Sequence, residues 1–333
     1  MELKDYMQKA IDTFYGLISN KEEGAENTRY RSWEWCYKAF SEKRSEYKNA
    51  SSNEEKEKIV DYLALHLGFY LASWGMYRGS SFLLQRDYKA HMEVVKEILK
   101  PEYDILVAYE PENTYEYSKD NRSEANKLLF GDGNEGLYWE IEKLYSRNSE
   151  EDHDTPSDTL VTKILMGTLG CVPAFDRFFK AGIAWYKDRN FYECQELSKS
   201  IDSRKRNPGK TYAILENIAY VNREFLKVPE LQSPVKYPTM KCLDMFFWQV
   251  GFELDIIAGF DNAENNKAHL IKTACTLGII KYSYNEIKNK IYTEIYVKQK
   301  NGKEKKTFKL EDTKVSQYKD EIQKAIKDRW GLI

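Results

Sequence analysis

Three apolar segments, far apart in the chain, each carry charge into what otherwise reads as core. The first is Leu71-Ala72-Ser73-Trp74-Gly75-Met76-Tyr77-Arg78-Gly79-Ser80-Ser81, the second Pro173-Ala174-Phe175-Asp176-Arg177-Phe178, and the third Met240-Lys241-Cys242-Leu243-Asp244-Met245. An unpaired buried charge is costly, so these segments either meet in one satisfied network or line a pocket. The residue types suit a ligand with a ring and an anion. Trp74 offers a stacking face, Arg78 and Lys241 offer cations for phosphate, and Asp176 is the candidate catalytic group, as a base or an orienting acceptor. Trp74 and Arg78 are four apart, which on a helix sets them on one face. Gly79-Ser80-Ser81 adds small residues and hydroxyls at a helix break, where backbone N–H groups face an anion. Ser80, Ser81, Arg177 and Asp244 complete the candidate ligand-binding set.

Each of these residues also has a structural reading. Asp176 caps a helix N-terminus and pairs with Arg177 or Lys163, Asp244 pairs with Lys241 three residues away, and Arg78 ties helices in register through Asp176 or Asp244. Glu34, between Trp33 and Trp35, is a further charge of the same kind. The histidines form no site: His66 reads as a hydrogen-bonded core residue, and His91, His153 and His269 lack metal-ligand spacing. No P-loop, dinucleotide-binding glycine pattern, HExxH or GxSxG is present, so no metal and no cofactor is expected.

Around Asp176 the pattern has a family likeness. Thr162-Lys163-Ile164-Leu165-Met166 leads through Gly167 and Gly170 into Val172-Pro173-Ala174-Phe175-Asp176-Arg177-Phe178. This helix, glycine turn and aspartate resembles the core of the helix-hairpin-helix base-excision DNA glycosylase superfamily, over about twenty residues from Lys163 to Phe178, the size of one helix-turn-helix unit. The resemblance implies that Asp176 matches the aspartate of a pocket for an extruded base, with Lys163 on the helix before the turn. The chain departs from the family in lacking the Leu-Pro-Gly-Val-Gly-like hairpin and the iron–sulfur cysteines, and in not being basic.

The elements that position these groups are mostly helical. The sequence has 333 residues, 42% hydrophobic and 14% aromatic, with 51 Lys+Arg against 53 Asp+Glu for a net charge of −2. That balance excludes a strongly basic nucleic-acid coat but allows local basic patches such as Arg204–Lys210 and Lys298–Lys309. Five scattered cysteines, none in a CxxC pair, read as reduced, buried thiols of a cytoplasmic protein. No segment reaches the ~18 consecutive apolar residues of a membrane span, and the acidic, amphipathic N-terminus is not a signal peptide.

Helical periodicity runs over Leu3–Ile18, Thr28–Tyr47, a long stretch through Tyr77, Arg86–Leu99, Thr159–Met166, Ala174–Ala181, Tyr192–Lys199, Tyr212–Phe225 and Pro238–Ile257. The middle reads as loops around Pro111–Asn121 and Gly131–Gly136. After residue 260 the character changes: a short helix to Leu277, alternation over Lys290–Val297, an Asn301-Gly302 turn, a return strand over Lys305–Leu310 and a closing helix over Val315–Trp330. The expected fold is mainly α, a multi-helix globular domain over residues 1–260 with a small C-terminal α+β appendage over 261–333 containing a β-hairpin.

Three functional readings fit. The first is a polar pocket of Trp74, Arg78, Asp176, Arg177, Lys241 and Asp244 binding a nucleobase, nucleotide or nucleic-acid segment. The second is a non-enzymatic interaction subunit, as of a host-defence or mobile-element system, in which the same charges are structural and a protein is the partner. The third is a helical enzyme acting on a phosphorylated small molecule. None involves a membrane.

Overall fold

The computed structural model describes residues 2–19, 28–79, 81–114, 121–133, 135–146, 156–189, 208–228, 233–262 and 265–332. Ser80, Cys194, His153, the Tyr192–Lys199 segment and most of the Arg204–Lys210 run lie outside them. The described residues are dominated by helices, with one antiparallel hairpin near the C-terminus. The chain divides into two compact units, Glu2–Gln249 and Val250–Ile333, and the division falls inside a helix rather than at residue 260.

In the first unit, α1 (Leu3–Ser19), α2 (Ser32–Asn49) and α3 (Asn53–Ser73) follow the expected periodicity. The Ser52 hydroxyl starts α3 by accepting from the Glu55 N–H, with Glu54 and Glu55 in the first turn. The helix stops at Ser73, short of Tyr77. Gly75 takes the left-handed conformation (φ 76°), its N–H bonds the Ala72 carbonyl, and the Met76 N–H bonds the Leu71 carbonyl. This is a Schellman closure, which glycine adopts without a Cβ penalty.

Beyond it, only part of the expected Arg86–Leu99 helix is regular: a 3-10 turn over Tyr88–His91 precedes α4 (Met92–Ile98). Two short helices, α5 (Glu124–Phe130) and α6 (Leu137–Ser146), flank the Gly131–Gly136 loop. Each is too brief to announce itself by periodicity. His66 is half-exposed against the Tyr62 ring rather than a core residue. The buried histidine is His91, held between the hydroxyls of Tyr77 and Tyr145, each at 2.6 Å.

The elements that matter for the candidate site are α7 (Asp158–Thr168), α8 (Arg177–Lys187), α9 (Pro208–Asn222) and α10 (Thr239–Asp261). Ser157 caps α7, and Gly170 (φ 71°) ends the turn after it, its N–H reaching the Leu165 carbonyl. Residues 174–176 are not helical as expected. The chain stays extended until Asp176, which caps α8. Cys36, Cys171 and Cys242 are buried free thiols and Cys275 is half-buried.

The second unit contains α11 (Lys267–Thr276), α12 (Tyr284–Ile291), β1 (Tyr292–Lys298), β2 (Glu304–Leu310) and α13 (Asp312–Trp330). A capping box of Ser283 and Glu286 starts α12. Strands pair from Tyr292 opposite Leu310 to Lys298 opposite Glu304, with Gly302 (φ 78°) in the turn. Ile271, Ile287, Ile291, Ile322, Ile326 and Trp330 are its core. The fully buried Glu253 carboxylate is held there by the Arg329 guanidinium at 2.9 Å and the Trp330 indole N–H at 2.7 Å.

Candidate functional site

Lys163 on α7 is buried, and its ammonium sits 3.0 Å from Asp176 Oδ2 and 5.0 Å from the centre of the Trp74 ring. Asp176 Oδ1 accepts from the Phe178 and Phe179 N–H groups, both at 3.0 Å. The extended segment before α8 is pinned on both sides. Thr162 Oγ1 accepts from the Phe175 N–H at 2.9 Å, Thr159 Oγ1 donates to the Phe175 carbonyl at 2.9 Å, and Asp244 Oδ1 accepts from the Ala174 N–H at 3.0 Å. These bonds settle the direction in which Asp176 points.

A second pair lies deeper. Lys241 donates to Asp244 Oδ2 at 2.7 Å, and both side chains are buried. The Lys241 ammonium lies 5.2 Å from the Phe14 ring centre and 5.3 Å from that of Trp33. The indole N–H of Trp33 in turn donates to the Met166 carbonyl at 2.9 Å. Glu34, fully buried, accepts from Tyr237 at 2.8 Å and Ser233 at 3.2 Å, with the Arg31 guanidinium 3.5 Å away. Burial raises its carboxyl pKa, and the Tyr237 hydrogen bond and Arg31 pull in the other direction.

Over these pairs lies an aromatic face. Buried Trp248 is the hub, with T-shaped contacts to Phe14 (5.3 Å), Phe178 (5.2 Å), Trp74 (5.8 Å) and Tyr30 (6.1 Å), and Tyr30 meets Trp74 at 5.7 Å. Tyr30, Trp74 and Phe178 are half-exposed, and the exposed arginines Arg29, Arg78 and Arg177 belong to the same short segments. The Arg29 guanidinium lies 5.2 Å from the Tyr30 ring and that of Arg177 lies 4.4 Å from the Phe178 ring. Arg78 folds back on the turn: a Cβ at Gly75 would fall 2.5 Å from its Nε. Trp74 Nε1 is buried and has no hydrogen-bond partner among the described residues.

Of the residues singled out in the sequence, Trp74, Asp176 and Arg177 belong to the cluster and Lys241 with Asp244 underlies it. Arg78 corrects the expectation of a shared network. It is exposed, and among the described residues it forms no ion pair with Asp176 or Asp244, which are neutralised by Lys163 and Lys241 instead. The physical reason is the early end of α3: Trp74 is its C-cap and Arg78 lies in the turn beyond, so the two do not share a helix face. Ser81 is spent locally, capping the 3-10 turn Phe82–Gln85 by accepting from the Leu83 N–H at 3.3 Å. Ser80 lies outside the described residues. Sequence reasoning missed Tyr30, Phe178 and Trp248 as one surface, since residue spacing carries no signal for contacts between distant segments.

Two clefts, of about 330 and 560 Å³, open elsewhere in this unit, against Tyr37, Glu110 and Pro238 and against Arg122, Lys127 and Asp132. Among the described residues no group of three or more His, Cys, Asp or Glu is placed to hold a metal ion, and no helix is long and apolar enough to cross a membrane. Comparison with protein-family models, with curated proteins and with solved structures finds no match.

Proposed function

We propose that the protein binds a nucleobase, as part of a nucleotide or a nucleic-acid segment, on the Tyr30–Trp74–Phe178 face. The observation that carries this reading is three half-exposed rings flanked by three exposed arginines. Rings stack on bases of any identity, and guanidinium groups hold the phosphates between them. Directly against Trp74, the Lys163–Asp176 pair supplies polar groups for the edge of a stacked base. Both Asp176 oxygens are engaged, so its role is an orienting acceptor rather than a free base. The likeness to helix-hairpin-helix glycosylases, by which Asp176 matches the aspartate of a pocket for an extruded base, points to the same ligand class. A cytoplasmic setting accords with the unpaired thiols.

The structural reading belongs to the deeper pair. Lys241 and Asp244 are enclosed and satisfied, which suits a scaffold of a non-enzymatic interaction protein better than a site.

Binding of a single-stranded oligothymidylate, read by anisotropy and by quenching of tryptophan fluorescence, separates the two. Trp74→Ala is expected to weaken binding by roughly tenfold or more, since base stacking on an aromatic ring is worth ~1–3 kcal/mol. Arg78→Lys is expected to weaken it with an unchanged melting temperature, because lysine lacks the planar fork. Absence of binding by the parent chain, or binding by both variants as tight as the parent's, overturns the proposal.

A further inference from the structure

The hairpin of the second unit has a charge pattern that its own fold does not use. Residues 292–310 carry six lysines and two glutamates, a net charge of +4 in a chain whose total is −2. Side chains alternate between the two faces of the ribbon. The register places Glu294, Tyr296 and Lys298 with Glu304, Lys306 and Phe308 on one face, and Thr293, Ile295 and Val297 with Lys305, Thr307 and Lys309 on the other. Both glutamates are therefore on the first face, where Glu294 pairs with Lys306 at 2.7 Å. The second face has no acidic residue, and the turn adds Lys300 and Lys303. Lys298, Lys300, Lys303, Lys305 and Lys309 are exposed and make no ion pair among the described residues. On the ribbon Tyr296 and Phe308 are 65% and 64% exposed, and Ile295 and Val297 are exposed as well.

Lysines on an edge strand guard against unwanted pairing. That accounts for Lys305 and Lys309 but not for Lys300 and Lys303, which lie in a turn with no ladder to protect. Four apolar or aromatic residues, Ile295, Tyr296, Val297 and Phe308, exposed among unpaired cations describe a surface made to be covered by something anionic. A two-stranded ribbon is one of the two elements that the major groove of a duplex admits, and lysines along it meet the phosphates on the groove walls. We propose that the hairpin is a duplex-binding ribbon, which grips a double-stranded nucleic acid through its phosphates. The partner's chemistry is a regularly spaced polyanion about as wide in its groove as the ribbon, and this favours a duplex over an acidic protein. The aromatic face of the first unit plays no part in this inference.

The full chain is titrated with a mixed-sequence DNA duplex at several salt concentrations, and with a polyglutamate peptide as competitor. Each phosphate neutralised contributes about −0.9 to the slope of log K against log salt. The variant K300Q/K303Q/K305Q/K309Q is expected to lose about three to four from that slope and at least tenfold in affinity at low salt, with the melting temperature unchanged. K300R/K303R/K305R/K309R is expected to bind as the parent does. Trp74→Ala is expected to leave the duplex slope unchanged, so that failure of the single-strand reading is told apart from failure of this one. No duplex binding by the parent, an unaltered slope in the glutamine variant, or polyglutamate binding that depends on the same lysines while duplex does not bind, each overturns the proposal.

Discussion

Two buried titratable side chains outside the candidate site give the first unit opposed responses to pH. His91 is enclosed between two tyrosine hydroxyls, and burial pushes its pKa down from 6.5 to about 4. The folded state holds it neutral while the unfolded chain takes up a proton, so its contribution is present above pH 6.5 and is lost as pH falls toward 4. Glu216 on α9 accepts from Ser123 at 2.5 Å, and burial pushes its carboxyl up from 4.5 to about 7. Here the folded state keeps the proton that the unfolded chain releases, so stability falls as pH rises from 4.5 to 7. A shift of that size corresponds to about 3 kcal/mol at most. Glu216→Gln removes this limb and leaves that of His91. Chemical denaturation at pH 5 and pH 8 is expected to show the parent losing on the order of 2–3 kcal/mol relative to the variant across that range. Parallel curves would contradict a buried, protonated Glu216. At this scale the sequence shows which residues carry charge, but not their partners. Asp176 as an N-cap paired with Lys163, and Asp244 paired with Lys241, are the structural readings that the sequence offers, whereas the exposure of Arg78 is not among them. Its position depends on the left-handed Gly75, and two glycines in Trp74–Gly79 leave the end of the helix open to either reading.

Among the elements, the long helices are legible because many residues vote for one period: α1, α2, α7, α10 and α13 each lie where the apolar stripe sets them. The hairpin is legible from one dipeptide, Asn301-Gly302. Short helices such as α5 and α6 are not, since two turns supply too few periods and tertiary contacts hold them. The capping box of Ser283 and Glu286 was a signal present in the sequence that would have located α12. The crossing of α8 with α10 rests on a residue that periodicity cannot weigh. A Cβ added at Gly182 would lie 2.0 Å from the Phe247 carbonyl oxygen, a backbone atom that cannot swing aside. Gly182→Ala, although it favours the helix by itself, is expected to cost at least ~2 kcal/mol by forcing α8 off α10. Urea unfolding would show it as a lower midpoint. A midpoint equal to or above the parent's would mean that the two helices are not in contact there.

For the molecule as a whole, helical periodicity and the turn signal set the fold class, and the mainly helical architecture with a terminal hairpin is what the structure has. They did not give the division inside α10. A strongly apolar helix that continues past Gln249 offers no proline, glycine cluster or polar run to mark a change of unit. Net charge near zero hid the arginine-flanked face for a similar reason: summing over 333 residues cancels Arg29, Arg78 and Arg177 against acids that lie elsewhere, whereas the lysines of 298–309 stand out as a run.

The thiols turn this architecture into a set of clocks. Cys36, Cys171 and Cys242 are free and buried in the first unit, and burial raises the pKa of each, that of Cys242 to about 12. Alkylation needs the thiolate and a path to it, so none of them reacts until its surroundings open. Cys275, half-buried in the second unit, is the faster one. With Cys194 replaced by serine, mass spectrometry of pulse-alkylated protein is expected to show Cys275 labelled first and the other three together, at the rate at which the helices around Asp176 come apart. Separate rates for those three would instead reveal that this helical core opens piecemeal.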